Sequence, residues 1–179
     1  RGCIPKKLMV YASHFREEVS DALGFGWKVD KVSHDWQKLN KVKNSELDRL
    51  ANIYKNILNN AGCKIIRGRG HLLDVNTVSV GNKNYTAEKI LISTGGKSFV
   101  PEIEGLRAFS ITSDEALNLQ ELPKNIIIFG SGYIAVEFAG IFNAFGSKVH
   151  LVYRADKPLK GFDNDIRESL SKELIKKGI

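Results

Sequence analysis

Residues 125 to 153 constrain the fold more than any other stretch of the chain. Asn125-Ile126-Ile127-Ile128-Phe129 is an apolar run of strand length, and Gly130-Ser131-Gly132-Tyr133-Ile134-Ala135 is a glycine-rich turn. Tyr133 to Phe145 reads as a helix. After Gly146, Lys148-Val149-His150-Leu151-Val152-Tyr153 reads as a second strand. Strand, G-x-G-x-x-A turn, helix and strand in that order make the βαβ unit that binds a dinucleotide. Gly130 permits the tight turn, Gly132 lets backbone N–H groups approach a pyrophosphate, and the small Ala135 lets helix and strand pack closely. Ala139 and Gly140 continue that small-residue face. The expected class is α/β with a Rossmann-like nucleotide-binding unit.

The end of the second strand selects the nucleotide. A site for NAD places Asp or Glu there to accept from the ribose 2′-hydroxyl, whereas a 2′-phosphate calls for Arg or Lys. Arg154 fills the position, Lys157 and Lys160 follow, and Asp156 lies two residues after Arg154. NADPH is therefore expected; the alternative is that Arg154 is one more solvated cation. On the intervening helix, Glu137 sits within Ile134-Ala135-Val136 and Phe138-Ala139-Gly140-Ile141. A carboxylate among apolar neighbours must be paired, solvated or functional, because burying it alone is costly. A place on the free side of the helix would satisfy it equally well.

At the other end, Arg1-Gly2-Cys3-Ile4-Pro5-Lys6-Lys7 sets a cysteine one step ahead of a proline-started, lysine-rich helix. Pro5 suits a first helical turn, where its missing N–H is not needed. Only a thiolate is a good nucleophile or electron donor, and the positive end of a helix with lysines beside it favours that form. Taken alone, a lone cysteine is more often a small buried apolar residue than a redox centre. Together with a nucleotide site, Cys3 points to electrons moving from a nucleotide to sulfur.

Between these landmarks, Leu8, Met9, Ala12, Phe15, Val19, Ala22 and Leu23 form a helical stripe that runs from Pro5 and stops at Gly24. A second stripe, Trp36, Leu39, Val42, Leu47, Leu50, Ile53, Ile57 and Leu58, closes near Gly62. The period then changes to two. Lys64-Ile65-Ile66, Thr77-Val78-Ser79-Val80 and Lys83-Asn84-Tyr85-Thr86 read as strands, the last two a hairpin through Gly81-Asn82. Lys89-Ile90-Leu91-Ile92-Ser93 reads as a buried strand ending in Thr94-Gly95-Gly96. Pro101 to Gly105 is a connecting loop, and Pro123 marks entry to a new unit.

The chain has 179 residues, 42% of them hydrophobic, and a formal net charge of +7. That charge comes from dispersed lysines, without a basic run interleaved with aromatics, so it suits anionic small molecules better than nucleic acid. Two cysteines are too few for a secreted disulfide scaffold and lack zinc spacing. His14, His34, His71 and His150 show no ligand-like spacing, so no metal is assigned. Cys63 reads as a packing residue, and Lys172, Lys176 and Lys177 as a solvated helix face. No signal peptide or membrane span is evident, and a cytoplasmic protein is expected. The absence of an initiator methionine, and a last helix reaching its terminal glycine where a strand should follow, suggest an internal piece of a longer chain.

These motifs resemble the flavin-dependent pyridine nucleotide disulfide oxidoreductases, within them the branch that reduces glutathione disulfide, and the likeness covers essentially the whole chain. In that family a Cys-x4-Cys pair precedes Pro-Lys-Lys; Cys3 matches the second cysteine, and the first would lie upstream of Arg1. Thr94-Gly95-Gly96 resembles the second flavin-domain motif. Gly132-Tyr133-Ile134-Ala135-Val136-Glu137 with Ala139-Gly140 is similar to the NADPH motif. Arg49-Leu50-Ala51-Asn52-Ile53-Tyr54 resembles the segment whose tyrosine lies beside the disulfide substrate.

The resemblance implies roles. Cys3 would be the flavin-proximal thiol, Lys6 would lie near the flavin and pair with Glu137, and Tyr133 would be a lid over the nicotinamide pocket. Arg154 and Lys160 would hold the 2′-phosphate, although arginine is commoner at the second position, and lysine gives a less directional grip. Arg69, Gly70, Thr94 and Gly95 would touch FAD; Gly130, Gly132, Ile134 and Glu137 would line the NADPH site; Tyr54 would touch substrate. Residues 1–115 would be part of an FAD-binding domain and 116–179 the first half of an NADPH-binding domain, both incomplete, of an enzyme acting as a homodimer. Without the upstream cysteine and a His-Glu pair from a partner subunit's interface domain, this piece alone would not turn over. The alternatives are a sister thioredoxin- or lipoamide-type reductase and a nucleotide-binding flavoprotein without thiol chemistry.

Overall fold

The structure is a computed structural model that describes residues 2–179. In chain order it contains helices α1 (Cys3–Gly24) and α2 (Trp36–Asn60), strands β1 (Gly70–Leu72), β2 (Thr77–Val80) and β3 (Lys83–Thr86), and short helices α3 (Leu106–Phe109) and α4 (Ser113–Ala116). Strand β4 (Asn125–Phe129), helix α5 (Tyr133–Ala144), strand β5 (Lys148–Val152) and helix α6 (Asn164–Lys176) complete it. The chain divides into two units, Arg1–Leu47 with Ile103–Ile179, and Asp48–Glu102. No helix among the described residues is long and apolar enough to cross a membrane.

In the first unit β4 and β5 pair in parallel, in register from Asn125 opposite Lys148 to Phe129 opposite Val152. Parallel neighbours need a crossover, and α5 supplies it. This helix packs against β4, β5 and α1, which is why it is apolar over most of its surface: Phe138, Ala139, Ile141 and Phe142 are all buried. Met9 of α1, Trp36 of α2, Ala116, Leu117 and Val149 complete the core. Full burial of a side chain such as Phe142 or Ile141 contributes roughly 1.5–3 kcal/mol, enough to make α5 the organising element of the unit.

The start of α2 docks through a stripe at i, i+4 and i+7. Trp36 Nε1 and Asn40 Nδ2 both donate to the Leu119 carbonyl, at 2.8 and 2.9 Å, and Lys43 Nζ donates to the Leu117 carbonyl. The helical pattern marked Trp36 as apolar and left Lys43 on the polar side; in the fold Lys43 is buried. Its carbonyl partner belongs to the end of α4, a four-residue helix held at its start by a Thr112 and Glu115 capping box.

The second unit holds an antiparallel sheet ordered β1, β2, β3. Val80 pairs with Lys83 across Gly81-Asn82, as the hairpin reading expects. Gly81 has φ 59°, the conformation that a two-residue hairpin with glycine at its first central position demands. Two expected strands are not formed. Lys64-Ile65-Ile66 and Lys89-Ile90-Leu91-Ile92-Ser93 join no ladder, and Leu91 is 89% exposed. An apolar run becomes a strand only when neighbours hydrogen-bond along it, and no described segment does so here.

Candidate functional site

The turn between β4 and α5 is shaped by its two glycines in different ways. Gly130 has φ 136°, which side-chain-bearing residues rarely adopt, and its N–H donates to the Val152 carbonyl at 2.9 Å. A Cβ built there would lie 3.6 Å from the Ala135 Cβ, ordinary contact, so backbone conformation alone demands glycine. Gly132 has an unstrained φ of −75°, and a Cβ there would meet nothing within 4 Å. It is the N-cap of α5 and offers no side chain to the first N–H groups of the helix. Those groups have no intrahelical acceptors, and the first turn carries no acidic residue to compete. The result is an open, backbone-lined anion cradle at a helix N-terminus, which suits a pyrophosphate. Tyr133 and Ile134, the first two residues of α5, are exposed beside it.

The loop after β5 comes back to this cradle. Leu159, the only non-glycine residue with positive φ among those described, donates its N–H to the Ser131 carbonyl at 2.6 Å. Arg154 and Lys160 lie on either side of Leu159 in sequence, both exposed and, among the described residues, neither in an ion pair. The other charges of the loop are committed elsewhere: Asp156 to Arg167 at 3.0 Å, and Lys157 to Glu168 at 2.5 Å. The Arg167 guanidinium holds the Asp156 carboxyl below its ordinary range. Two uncommitted cations and a neutralised acid are what a 2′-phosphate requires.

Lys6 on α1 and Glu137 on α5 form the ion pair expected from the sequence resemblance. Nζ lies 2.6 Å from Oε1, with both side chains partly shielded. The Glu137 hydrogen bond raises the Lys6 pKa; burial opposes this, and the charges of Glu137, Cys3 and Tyr133 reinforce it. Cys3, three residues before Lys6, is exposed and unpaired. A thiol, a cation and the dinucleotide helix are thus joined within one unit. At the far end of the same helix pair, Arg16 donates to the Asn143 and Ala144 carbonyls at 3.2 and 2.9 Å, neutralising the C-terminus of α5. No sequence pattern marks Arg16 for that role, because it depends on how the two helices cross.

Tyr54, Arg69, Gly70, Thr94 and Gly95 lie in the second unit. Tyr54 and Arg69 are exposed; Gly70 opens β1. Gly95 has φ 74°, and neither it nor Gly96 would bring a Cβ within 4 Å of another group. The backbone there is open to a ligand, in keeping with a glycine pair after Thr94. Cys63 is free and exposed, where a packing role was expected. The helix before it ends at Asn60, and the Cys63 N–H closes that end by donating to the Leu58 carbonyl at 2.9 Å.

Residues 1–179 match the family model for pyridine nucleotide-disulphide oxidoreductases. The chain is 53% identical over 164 residues to the chloroplastic/mitochondrial glutathione reductase of Pisum sativum, covering 91% of this chain and 30% of that protein. It is 46% identical over its full length to the glutathione reductase of Nostoc sp., 39% of whose length is covered. Among solved structures, the Cu(II) complex of the HOCl-induced flavoprotein disulfide reductase RclA from Escherichia coli superposes with a TM-score of 0.79 at 31% identity. That match covers 99% of this chain and 38% of the other. The chain thus spans between 30% and 39% of the length of these relatives.

Proposed function

Because the chain belongs to the pyridine nucleotide-disulphide oxidoreductase family, we propose that it is the central part of a longer FAD-dependent enzyme that uses NADPH to reduce glutathione disulfide. The observation that carries this reading is the 2.6 Å Lys6–Glu137 pair, which ties the helix bearing Cys3 to the helix that opens on the dinucleotide cradle. The identities to proteins named glutathione reductase support the substrate.

In this reading residues 1–115 belong to the FAD-binding domain and 116–179 to the NADPH-binding domain. Gly132 and Ile134 hold the dinucleotide pyrophosphate through backbone N–H groups, Gly130 shapes the turn that brings it there, and Arg154 and Lys160 hold the 2′-phosphate. Tyr133 covers the nicotinamide position. Arg69, Gly70, Thr94 and Gly95 hold FAD, and Tyr54 lies against the disulfide substrate. When bound, the two cofactors supply the two-electron path from a pyridine nucleotide to a disulfide. Cys3 gives the thiolate next to the flavin, and Lys6, fixed by Glu137, keeps a positive charge beside it. A second cysteine, five positions upstream of Cys3, attacks glutathione disulfide and releases one glutathione thiolate. Cys3 then attacks the mixed disulfide, releasing the second thiolate and restoring the intramolecular disulfide. The enzyme works as a homodimer in the cytoplasm, and the 179-residue piece alone does not turn over.

The test is NADPH consumption by the full-length protein, followed by absorbance, with glutathione disulfide, thioredoxin disulfide or lipoamide as acceptor. Turnover with glutathione disulfide that is abolished by Cys3→Ser, with flavin retained, is the expected result. Preference for another disulfide would overturn the substrate; undiminished turnover in Cys3→Ser would overturn the mechanism.

A further inference from the structure

Arg167, on the first turn of α6, makes more side-chain hydrogen bonds to the loop after β5 than any role assigned so far requires. Nε donates to the Pro158 carbonyl at 2.9 Å, and Nη2 to the Lys157 carbonyl and the Asp156 carboxylate, each at 3.0 Å. Nη1 reaches Asn164 Oδ1 at 3.3 Å. The arginine side chain is only 12% exposed and its bonds to the Pro158 and Lys157 carbonyls are partly buried, whereas the Asp156 carboxylate it holds is 75% exposed. The root of the arginine is itself held, because Asp163 caps α6 by accepting from the Asp165 and Ile166 N–H groups. From the opposite side the same loop is anchored to the glycine turn by the Leu159 N–H.

We propose that Arg167 is a positioning residue that sets the enzyme's selectivity for a 2′-phosphorylated nucleotide. The inference rests on Arg154 and Lys160 being the 2′-phosphate pair. It acts in two ways. The planar guanidinium fork fixes the carbonyls of residues 157 and 158, and so the path of the chain between the two phosphate-binding cations. It also neutralises Asp156, whose free carboxylate would repel a phosphate and suit a ribose 2′-hydroxyl. Lysine at this position carries its three donors on a single nitrogen and would lose the planar fork that spans separate acceptors.

The experiment compares Arg167→Met, Arg167→Lys, Arg167→Met with Asp156→Asn, and Arg154→Ala in the full-length flavoprotein, measuring kcat and KM for NADPH and for NADH. Arg167→Met is expected to raise the NADPH KM about tenfold while kcat and the NADH KM stay within about twofold. Arg167→Lys should fall between, and Asp156→Asn should restore part of the loss. An unchanged NADPH KM in Arg167→Met, or an equal rise for both nucleotides, overturns the proposal. Failure of both single Arg167 variants to retain flavin also overturns it, since the residue would then be structural. If Arg154→Ala leaves the NADPH KM unchanged, the reading of the phosphate pair itself fails. If Arg154→Ala raises it and Arg167→Met does not, only the present inference fails.

Discussion

Lys6 and Glu137 are separated by 131 residues in sequence and by 2.6 Å in space. The pair explains how a carboxylate is tolerated on a helix as apolar as α5, since Glu137 faces a cation on α1. With both groups partly shielded, Glu137→Gln should cost on the order of 1 kcal/mol or less. The pH dependence follows from the raised Lys6 pKa. A base whose folded value lies above its unfolded value contributes fully below the unfolded value, about 10.4, and loses the contribution as pH rises through the folded value. The stability difference between wild type and Glu137→Gln should therefore be flat from neutral to mildly alkaline pH and shrink only beyond the ordinary lysine range. Thermal unfolding of both proteins across that range measures it, and a difference that vanishes below pH 9 would contradict the pairing.

The two glycines of the cradle should respond oppositely to one added methyl group. Gly130→Ala forces a φ of 136° onto a residue with a Cβ, a strain of about 1–3 kcal/mol that unfolding measurements will register. Gly132→Ala is unstrained and meets no protein atom, so stability should be unchanged. Its methyl group projects where a phosphate would approach, and nucleotide affinity should fall. Titration with NADPH and chemical unfolding of each variant separate the effects; a Gly132→Ala protein with normal NADPH affinity would remove the cradle from that role.

His34 gives the first unit an acid-sensitive contact. Its ring lies 4.3 Å from that of Phe145, and Trp36 packs edge-on to both. Desolvation of the ring on its aromatic side lowers its pKa although the residue is exposed overall, and Asp35 offsets this only in part. The neutral ring is thus the form the fold prefers: stability is complete above the unfolded value near 6.5 and falls as pH drops toward the folded value. His34→Phe should flatten that fall. Urea unfolding midpoints at several pH values below 7 test it, and parallel profiles for the two proteins would rule it out.

Much of this architecture is legible in the sequence because it is local. The stripes of α1 and α2, the Gly81-Asn82 hairpin and the strand-turn-helix-strand unit each announce themselves within a few turns of chain. Lys64 to Ile66 and Lys89 to Ser93 mislead for the opposite reason, since their apolar runs need partner strands that no local pattern can promise. Lys6 with Glu137 was foreseeable only through family likeness, as nothing in either segment refers to the other. Arg167 and Arg16 lie beyond pattern reading altogether: each is an ordinary helix cation until tertiary packing brings carbonyls to it.

Lys43 is the sharpest such case, and it yields a test. Its ammonium is buried against the Leu117 carbonyl, to which it donates, and burial lowers its pKa. A base depressed in the fold destabilises while it is protonated. Wild-type stability should therefore rise as pH climbs from the folded value toward about 10.4, where the unfolded chain also loses its proton. Lys43→Met keeps the unbranched stem and removes the charge, at the expense of leaving the carbonyl unpaired. The two changes oppose each other, so its stability at neutral pH should lie within about 1 kcal/mol of wild type. Lys43→Ala leaves the same carbonyl unpaired and adds a cavity, for a loss of about 2–4 kcal/mol. Urea unfolding of the three proteins at neutral and alkaline pH distinguishes the contributions. If Lys43→Met were as destabilised as Lys43→Ala, the ammonium's bond to Leu117 would outweigh the packing of its stem.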